Sequence, residues 1–333
     1  VLTADDSDLN PESLFSAASG CSRLLIAVSG GPDSMALLRL AAAWRANAAT
    51  PALAAATVDH GLRPESADEA TKVGQWSRAL GIPHTILFWR GDKPTTGIQE
   101  KARRARYKLL FDHMRDIDAK ALATAHHADD QWETVMIRMS RGSGIAGLAG
   151  MSSDQDRLGG RHIRPLLHLP KSALVAYCRR CGQTFFADPS NADPRFARSG
   201  WRELYRPLAR LGLTRERAAK LCERAEKFDG ALTWAANRLL SDASIPGRAN
   251  NYDLSTAEDT PQAVIEYFLQ IALVKATGVP PGRLERVERL ALSLCCALRS
   301  KTGLRATLGG CVFALDGRQH LRIAPESKRK RGV

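Results

Sequence analysis

Arg23-Leu24-Leu25-Ile26-Ala27-Val28-Ser29-Gly30-Gly31-Pro32-Asp33-Ser34 reads as an apolar strand, a two-glycine turn and the opening of a helix that continues through Met35-Ala36-Leu37-Leu38. Such a turn aims backbone N–H groups at whatever sits above it, and the helix N-terminus adds a field favourable to an anion. Gly30 and Gly31 lack Cβ atoms, so a phosphate group can approach the main chain closely. Ser29 and Ser34 add hydroxyl donors. No lysine follows the glycines, which excludes the GxxxxGKS/T loop. Asp33 would repel a bare phosphate and makes best sense beside a divalent cation. An ordinary Gly-rich turn is the plain alternative, but it leaves two serines and an aspartate at this spacing unaccounted for.

Working outward, residues 23–28, 52–58, 84–88 and 120–125 read as short apolar strands. Helical patterns lie between them at about 34–48, 65–80 and 97–116, with another at 129–140. The alternation predicts an α/β fold, a doubly wound parallel sheet, whose ligands bind at the carboxyl ends of the strands. Polar residues stand at those ends. Strand 52–58 runs into Asp59 and His60, and strand 120–125 runs into His126-His127-Ala128-Asp129-Asp130-Gln131-Trp132-Glu133-Thr134. Asp130 and Glu133 are three apart on a helix and share a face, an arrangement suited to a metal, a guanidinium or an ammonium. N-capping and dipole compensation would also explain acids in a first turn. The HExxH pattern of zinc proteases is absent.

Two further blocks are more polar than a core requires. Gln99-Glu100-Lys101-Ala102-Arg103-Arg104-Ala105-Arg106-Tyr107 opens a helix with three arginines. Asp188-Pro189-Ser190-Asn191-Ala192-Asp193 is turn-rich and precedes Arg198, Arg202 and Arg206, four apart, a positive stripe ended by Pro207. A basic face of this kind suits a phosphate backbone, and i,i+4 pairing with Glu203, Glu216 and Glu223 is the plainer reading. The 333 residues carry a formal charge of +13, consistent with a polyanionic partner. Seven cysteines point to a reducing, cytoplasmic compartment. Cys178 and Cys181 form a CxxC without a second pair at zinc spacing, and read as buried thiols. Neither a signal-peptide pattern nor an apolar stretch of membrane-spanning length is present in the sequence, so no membrane association is expected.

The first loop resembles the pyrophosphate loop of the N-type ATP pyrophosphatases, and the series of blocks resembles the bacterial tRNA(Ile)-lysidine synthetases. The matching blocks are SGGPDS at 29–34, VDHGLRPES at 58–66, QEKARRARY at 99–107, AHHADDQWET at 125–134, RGSGIAGLAGM at 141–151, RPLL at 164–167 and DPSNAD at 188–193. They cover roughly residues 23–206 in the family's order; the first is shared by many adenylating enzymes and the series from 99 to 193 is more specific.

The resemblance implies ATP and Mg²⁺ as cofactors, and free L-lysine and the isoleucine tRNA with a CAU anticodon as substrates. In that reaction the wobble cytidine is adenylated with release of pyrophosphate; the lysine ε-amine then attacks C2 and expels AMP. The codon read changes from AUG to AUA. The resemblance implies that Ser29, Gly30, Gly31, Asp33 and Ser34 hold the pyrophosphate, with Mg²⁺ through Asp33, and that Asp59 and His60 belong to the nucleotide site. Arg103 and Arg106 would neutralise charge on the α-phosphate, and Asp130 and Glu133 would hold the lysine or take its proton. Arg198 and Arg202 would lie against tRNA or the ATP phosphates.

The expected domains are a catalytic domain over 1–212, a helical connector over 213–241, a small α+β tRNA-binding domain over 242–326 and a basic tail over 327–333. The small domain would hold helices near 260–276 and 283–299 and a hairpin turning at Asp316-Gly317. A homodimer is left open. Two other readings are a tRNA thiolation enzyme on the same ATP-binding domain, which bound iron would favour, and a non-catalytic tRNA-binding protein, which failure to bind ATP would favour.

Overall fold

The computed structural model describes residues 9–46, 50–91, 93, 96–186, 197–280 and 282–326. The chain divides into two compact units, one of residues up to Ile137 with Gly150–Lys220, the other of Arg138–Ala149 with Leu221 onward.

In the first unit, α1 (Pro11–Leu14), β1 (Arg23–Ala27), α2 (Pro32–Arg45), β2 (Ala52–Asp59), α3 (Ser66–Ala79), β3 (His84–Phe88), α4 (Ile98–Asp116), β4 (Ala121–Ala123) and α5 (Ala128–Ser140) follow in order. After α6 (Ile145–Leu148), which belongs to the second unit, come β5 (Asp154–Arg157), β6 (Gly160–Ile163), α7 (Lys171–Arg180), α8 (Ala197–Arg210) and α9 (Arg215–Ala243), whose residues from Leu221 on are also counted in the second unit. Six strands form one sheet in the order β3-β2-β1-β4-β6-β5, parallel except for the antiparallel edge strand β5.

β1 shows why both faces are covered. Leu24 and Ile26 point into a core with Met35, Leu37 and Leu38 of α2 and Leu174 of α7, whereas Leu25 points into a second core with Tyr107, Phe111 and Met114 of α4. Successive side chains alternate between faces, so an unbroken apolar strand is buried on both. Strand order reverses between β1 and β4, the place where doubly wound sheets open a crevice for ligands.

The doubly wound α/β sheet is as expected, but it has six strands where the sequence reading gave four, β5 and β6 being the additions, and two element boundaries differ. β4 ends at Ala123 instead of 125, although the Thr124 N–H still bonds the Ile163 carbonyl of β6. The basic stripe does not end its helix at Pro207: α8 runs on to Arg210, and its last turn is tied off by Leu211 N–H to the Leu208 carbonyl and Gly212 N–H to the Ala209 carbonyl. A proline near a helix end forfeits one bond and leaves the final turn able to close.

The second unit packs α10 (Gln262–Thr277) and α11 (Leu284–Ser300) on a four-stranded antiparallel sheet, β7 (Asn251–Asp253), β10 (His320–Pro325), β9 (Cys311–Leu315) and β8 (Leu304–Leu308) in spatial order. Its core includes Phe268, Leu269, Leu294, Phe313 and Ile323. The hairpin at Asp316-Gly317 is present, while β7 and β8 add two strands beyond the sequence reading. Among the described residues no helix is long and apolar enough to cross a membrane.

Candidate active site

The loop after β1 is held by its own serines. The Ser34 hydroxyl donates to the Gly31 carbonyl (3.0 Å) and accepts the Ser29 N–H (3.1 Å), and the two serine oxygens lie 3.2 Å apart. Gly30 has φ +86°, and a Cβ there would meet Phe186 Cδ2 at 2.7 Å and Val73 Cγ2 at 2.9 Å. Both the backbone and the packing therefore demand glycine. Gly31 caps α2, and a Cβ built on it meets only the Ser29 hydroxyl oxygen, at 3.9 Å, so its outer side is open to an approaching group.

Asp33, in the first turn of α2, stands below this loop. Its Oδ2 lies 3.4 Å from Lys171 Nζ and 3.5 Å from His127 Nε2, while its buried Oδ1 makes no hydrogen bond. Burial raises the Asp33 pKa, but His127 and Lys171 outweigh it and the net shift is downward. For His127 burial is again the largest influence, lowering its pKa, yet Asp33, Asp130 and Asp129 together leave it raised. A half-buried carboxylate held ionised with one oxygen unengaged fits a hard divalent cation. Among the described residues no three potential ligands gather around a metal position, so such an ion would draw most of its ligands from phosphate and water, as Mg²⁺ commonly does.

The acids of α5 divide their work. Asp130 faces His127, with Oδ2 3.5 Å from Nε2 and accepting the His127 N–H. Asp129 accepts the N–H of Lys171 at the start of α7 (2.9 Å) and pairs with Arg215 of α9 (2.5 Å), which makes it a fastener of three helices. Glu133 is buried and receives Arg202 Nε at 2.5 Å on one oxygen and Nη2 at 3.4 Å on the other. Arg202 also feels Asp130 and Asp33, so α2, α5 and α8 bring their charges into one cluster. Beside it lies a cavity of about 420 Å³ lined by Asp129, Trp132, Glu133, Arg202, Tyr205 and Arg215, among others. Trp132 fixes its wall by donating to the Leu213 carbonyl (2.8 Å) and meeting Tyr205 edge to face at 5.0 Å.

Arg103 and Arg106 lie on α4 over the ring of Tyr107, at 5.1 and 5.7 Å from its centroid, with Arg157 at 3.8 Å. Asp59 is buried and accepts from the Gly61 N–H (2.8 Å) and the Ser66 hydroxyl (2.6 Å), which shapes the turn after β2. Burial, reinforced by Arg106, pushes the neighbouring His60 down to about 4. Arg198 lies in α8, its side chain outside the described residues, as are Asp188–Asp193 and the basic tail. The structure thus gathers Ser29, Gly30, Gly31, Asp33, Ser34, Asp130, Glu133 and Arg202 at the β1–β4 switch. It adds Trp132, which lies within the quoted block 125–134, and Lys171, Arg215 and Tyr205, whose sequence positions carry no local signal. The Cys178 thiol donates to the Pro32 carbonyl, and burial raises its pKa to about 11, so it is a poor source of reactive thiolate.

Comparison with known proteins agrees with this architecture. A family model described as a PP-loop domain matches residues 8–208. The tRNA(Ile)-lysidine synthase of Methylobacterium nodulans is 44% identical over 93% of this chain and 92% of its own length. That of Rhodopseudomonas palustris is 43% identical over 95% and 94%. Among solved structures, the U34-tRNA thiolase NcsA from Methanococcus maripaludis, with its 4Fe-4S cluster, superposes with a TM-score of 0.57 over 66% of this chain and 78% of that one. At 17% identity that likeness is one of fold. Near-complete coverage at more than two-fifths identity, on a loop and acid block built as described, places the chain in the tRNA(Ile)-lysidine synthase family, with a PP-loop ATP-binding domain.

Proposed function

We propose that this chain is an ATP-dependent ligase that joins the ε-amine of L-lysine to C2 of the wobble cytidine of isoleucine tRNA with a CAU anticodon. The observation that carries the reading is the end-to-end match to proteins named for lysidine synthesis, 44% identical over 93% of the chain. In the first step a bond forms between the cytidine O2 and the α-phosphorus of ATP as pyrophosphate leaves. In the second the lysine amine adds at C2, and AMP departs with the oxygen.

The chain's residues fit these demands. The backbone and hydroxyls of Ser29–Ser34 would cradle the departing pyrophosphate. Asp33 would hold Mg²⁺, which when bound would offset charge on the phosphate oxygens. Asp59 sets the turn that carries His60 along the nucleotide. Arg103 and Arg106 supply fixed positive charge where the α-phosphate becomes more anionic. Asp130 and Glu133 form the anionic end of the lysine site. Lysine's ammonium, with an ordinary pKa of about 10.4, must shed a proton before attack, and Asp130 would take it. Arg202 neutralises Glu133 until substrate arrives, and with Arg198 then turns toward phosphate. Residues 242–326 would serve as a tRNA-binding domain, linked through 213–241.

The test is to omit lysine. With ATP labelled in the α-phosphate, Mg²⁺ and the cognate tRNA, label should accumulate on the tRNA, and adding lysine should chase it to AMP. AMP formed without tRNA, or tRNA label that lysine does not release, would oppose the reading.

A further inference from the structure

Beside the loop and the acid cluster lies a buried polar chain that the chemistry above does not use. Arg164 Nη2 bonds His162 Nδ1 (3.1 Å), His162 Nε2 bonds Thr124 Oγ1 (2.8 Å), and Thr124 Oγ1 bonds His126 Nδ1 (2.8 Å). His162 is fully buried, and Arg164 and Thr124 are nearly so. Arg164 also donates to the Ser152 carbonyl, which holds its guanidinium in place.

The direction of every bond in this chain can be deduced. Arginine only donates, so His162 Nδ1 must accept. Burial, with Arg164 and Arg157 alongside, pushes His162 down to about 3, so its ring is neutral and its single proton sits on Nε2. That N–H donates to Thr124 Oγ1. The only acceptor available to the Thr124 proton among the described residues is His126 Nδ1. His126 is itself kept neutral by burial and by Arg164, Arg103 and Arg106, so its proton sits on Nε2.

We infer that Arg164, His162 and Thr124 are positioning residues that lock His126 as a neutral Nε2–H donor toward an oxyanion in the crevice at the end of β4. Arg103 and Arg106 act on the same histidine electrostatically, so their positive field reinforces this donor toward an anion. A donor with fixed direction stabilises developing charge without reorganising, and the opposite tautomer would present a lone pair to an anion. The role in catalysis rests on the ligase reading above, whereas the tautomer does not.

Two measurements test it. Ring-nitrogen NMR on the full chain with labelled histidine, assigned through His126→Gln and His162→Gln, should show His126 with protonated Nε2 and bare Nδ1. A protonated Nδ1 overturns the inference whether or not the chain makes lysidine. Thr124→Val removes the hydroxyl at nearly constant shape, and Thr124→Ser keeps it. Thr124→Val should lower kcat for lysidine formation about 10- to 100-fold, the range for lost orienting partners, with little change in KM for lysine. Thr124→Ser should restore most of that loss. A purely structural network predicts instead a lower Tm with kcat unchanged in Thr124→Val, and that result contradicts the inference. If the wild-type chain forms no lysidine, the ligase reading fails and the tautomer measurement still decides the hydrogen-bond chain.

Discussion

Asp33 is asked to stay ionised while half-buried, and two cations make that feasible. Lys171 and His127 lie about one hydrogen-bond length or slightly more from Oδ2, and their attraction exceeds the desolvation cost of the carboxylate. Asp33→Asn keeps the shape and removes the charge, so lysidine formation should fall about 100-fold or more while the folded state persists. Steady-state kinetics beside circular dichroism checks this; unchanged turnover would remove Asp33 from the site. The Glu133–Arg202 pair makes a different prediction. Glu133 is 2% exposed at its side chain and Arg202 38%, so losing Arg202 takes a half-exposed cation away from a buried carboxylate. Arg202→Met should cost about 1–3 kcal/mol, below the range for fully buried pairs. Adding Glu133→Gln should recover part of that loss in urea titrations, because the two residues act as a unit. Additive losses would mean the pair is not coupled.

At the scale of elements, the strand–loop–helix unit 23–45 was legible because everything it needs is local. Leu24, Leu25 and Ile26 announce a strand buried on both faces, and Gly30 with Pro32 announces the turn and helix start. Gly30→Ala forces a side chain into a left-handed backbone against Phe186 and Val73, and should destabilise the unit by about 1–3 kcal/mol while weakening ATP binding. A Tm equal to wild type would show that the loop tolerates a Cβ. The hairpin β5–β6 was not legible. Asp154-Gln155-Asp156-Arg157 has none of the apolar alternation that marks a strand, and a charged edge strand needs none. It is held through Arg161, whose guanidinium grips both oxygens of Asp154. The same limit applies to the site. Asp33, Asp130 and Glu133 declared themselves by spacing, but the approach of Lys171, Arg202 and Arg215 depends on how helices more than thirty residues away pack, which no local pattern encodes.

Across the molecule, buried and half-buried histidines tie stability to pH, His60, His84 and His162 among them. Burial holds His60 and His84 at about 4 and His162 at about 3, with Arg106, Arg78 and Arg164 adding to the effect. Their unfolded values lie near 6.5. Between 6.5 and about 4 the unfolded chain therefore binds more protons than the native one, and stability falls as pH falls. His127, its pKa raised, works in the other direction: its contribution is present below 6.5 and is lost as pH rises through its raised value. Urea midpoints should decline from pH 6.5 to 4.5, with a shallower slope for His84→Gln; a flat profile would contradict the burial account. The charge of +13 carries the parallel expectation that tRNA affinity falls steeply with salt, because phosphate contacts release counterions.

Incorporation of labelled L-lysine into isoleucine CAU tRNA, with ATP and Mg²⁺ at low salt, shows whether this loop and acid cluster together make lysidine. Acid-stable label should appear at the wobble position, be abolished by Asp33→Ala and be absent from methionine tRNA. Intact, ATP-binding protein that leaves this tRNA unlabelled would contradict the ligase reading.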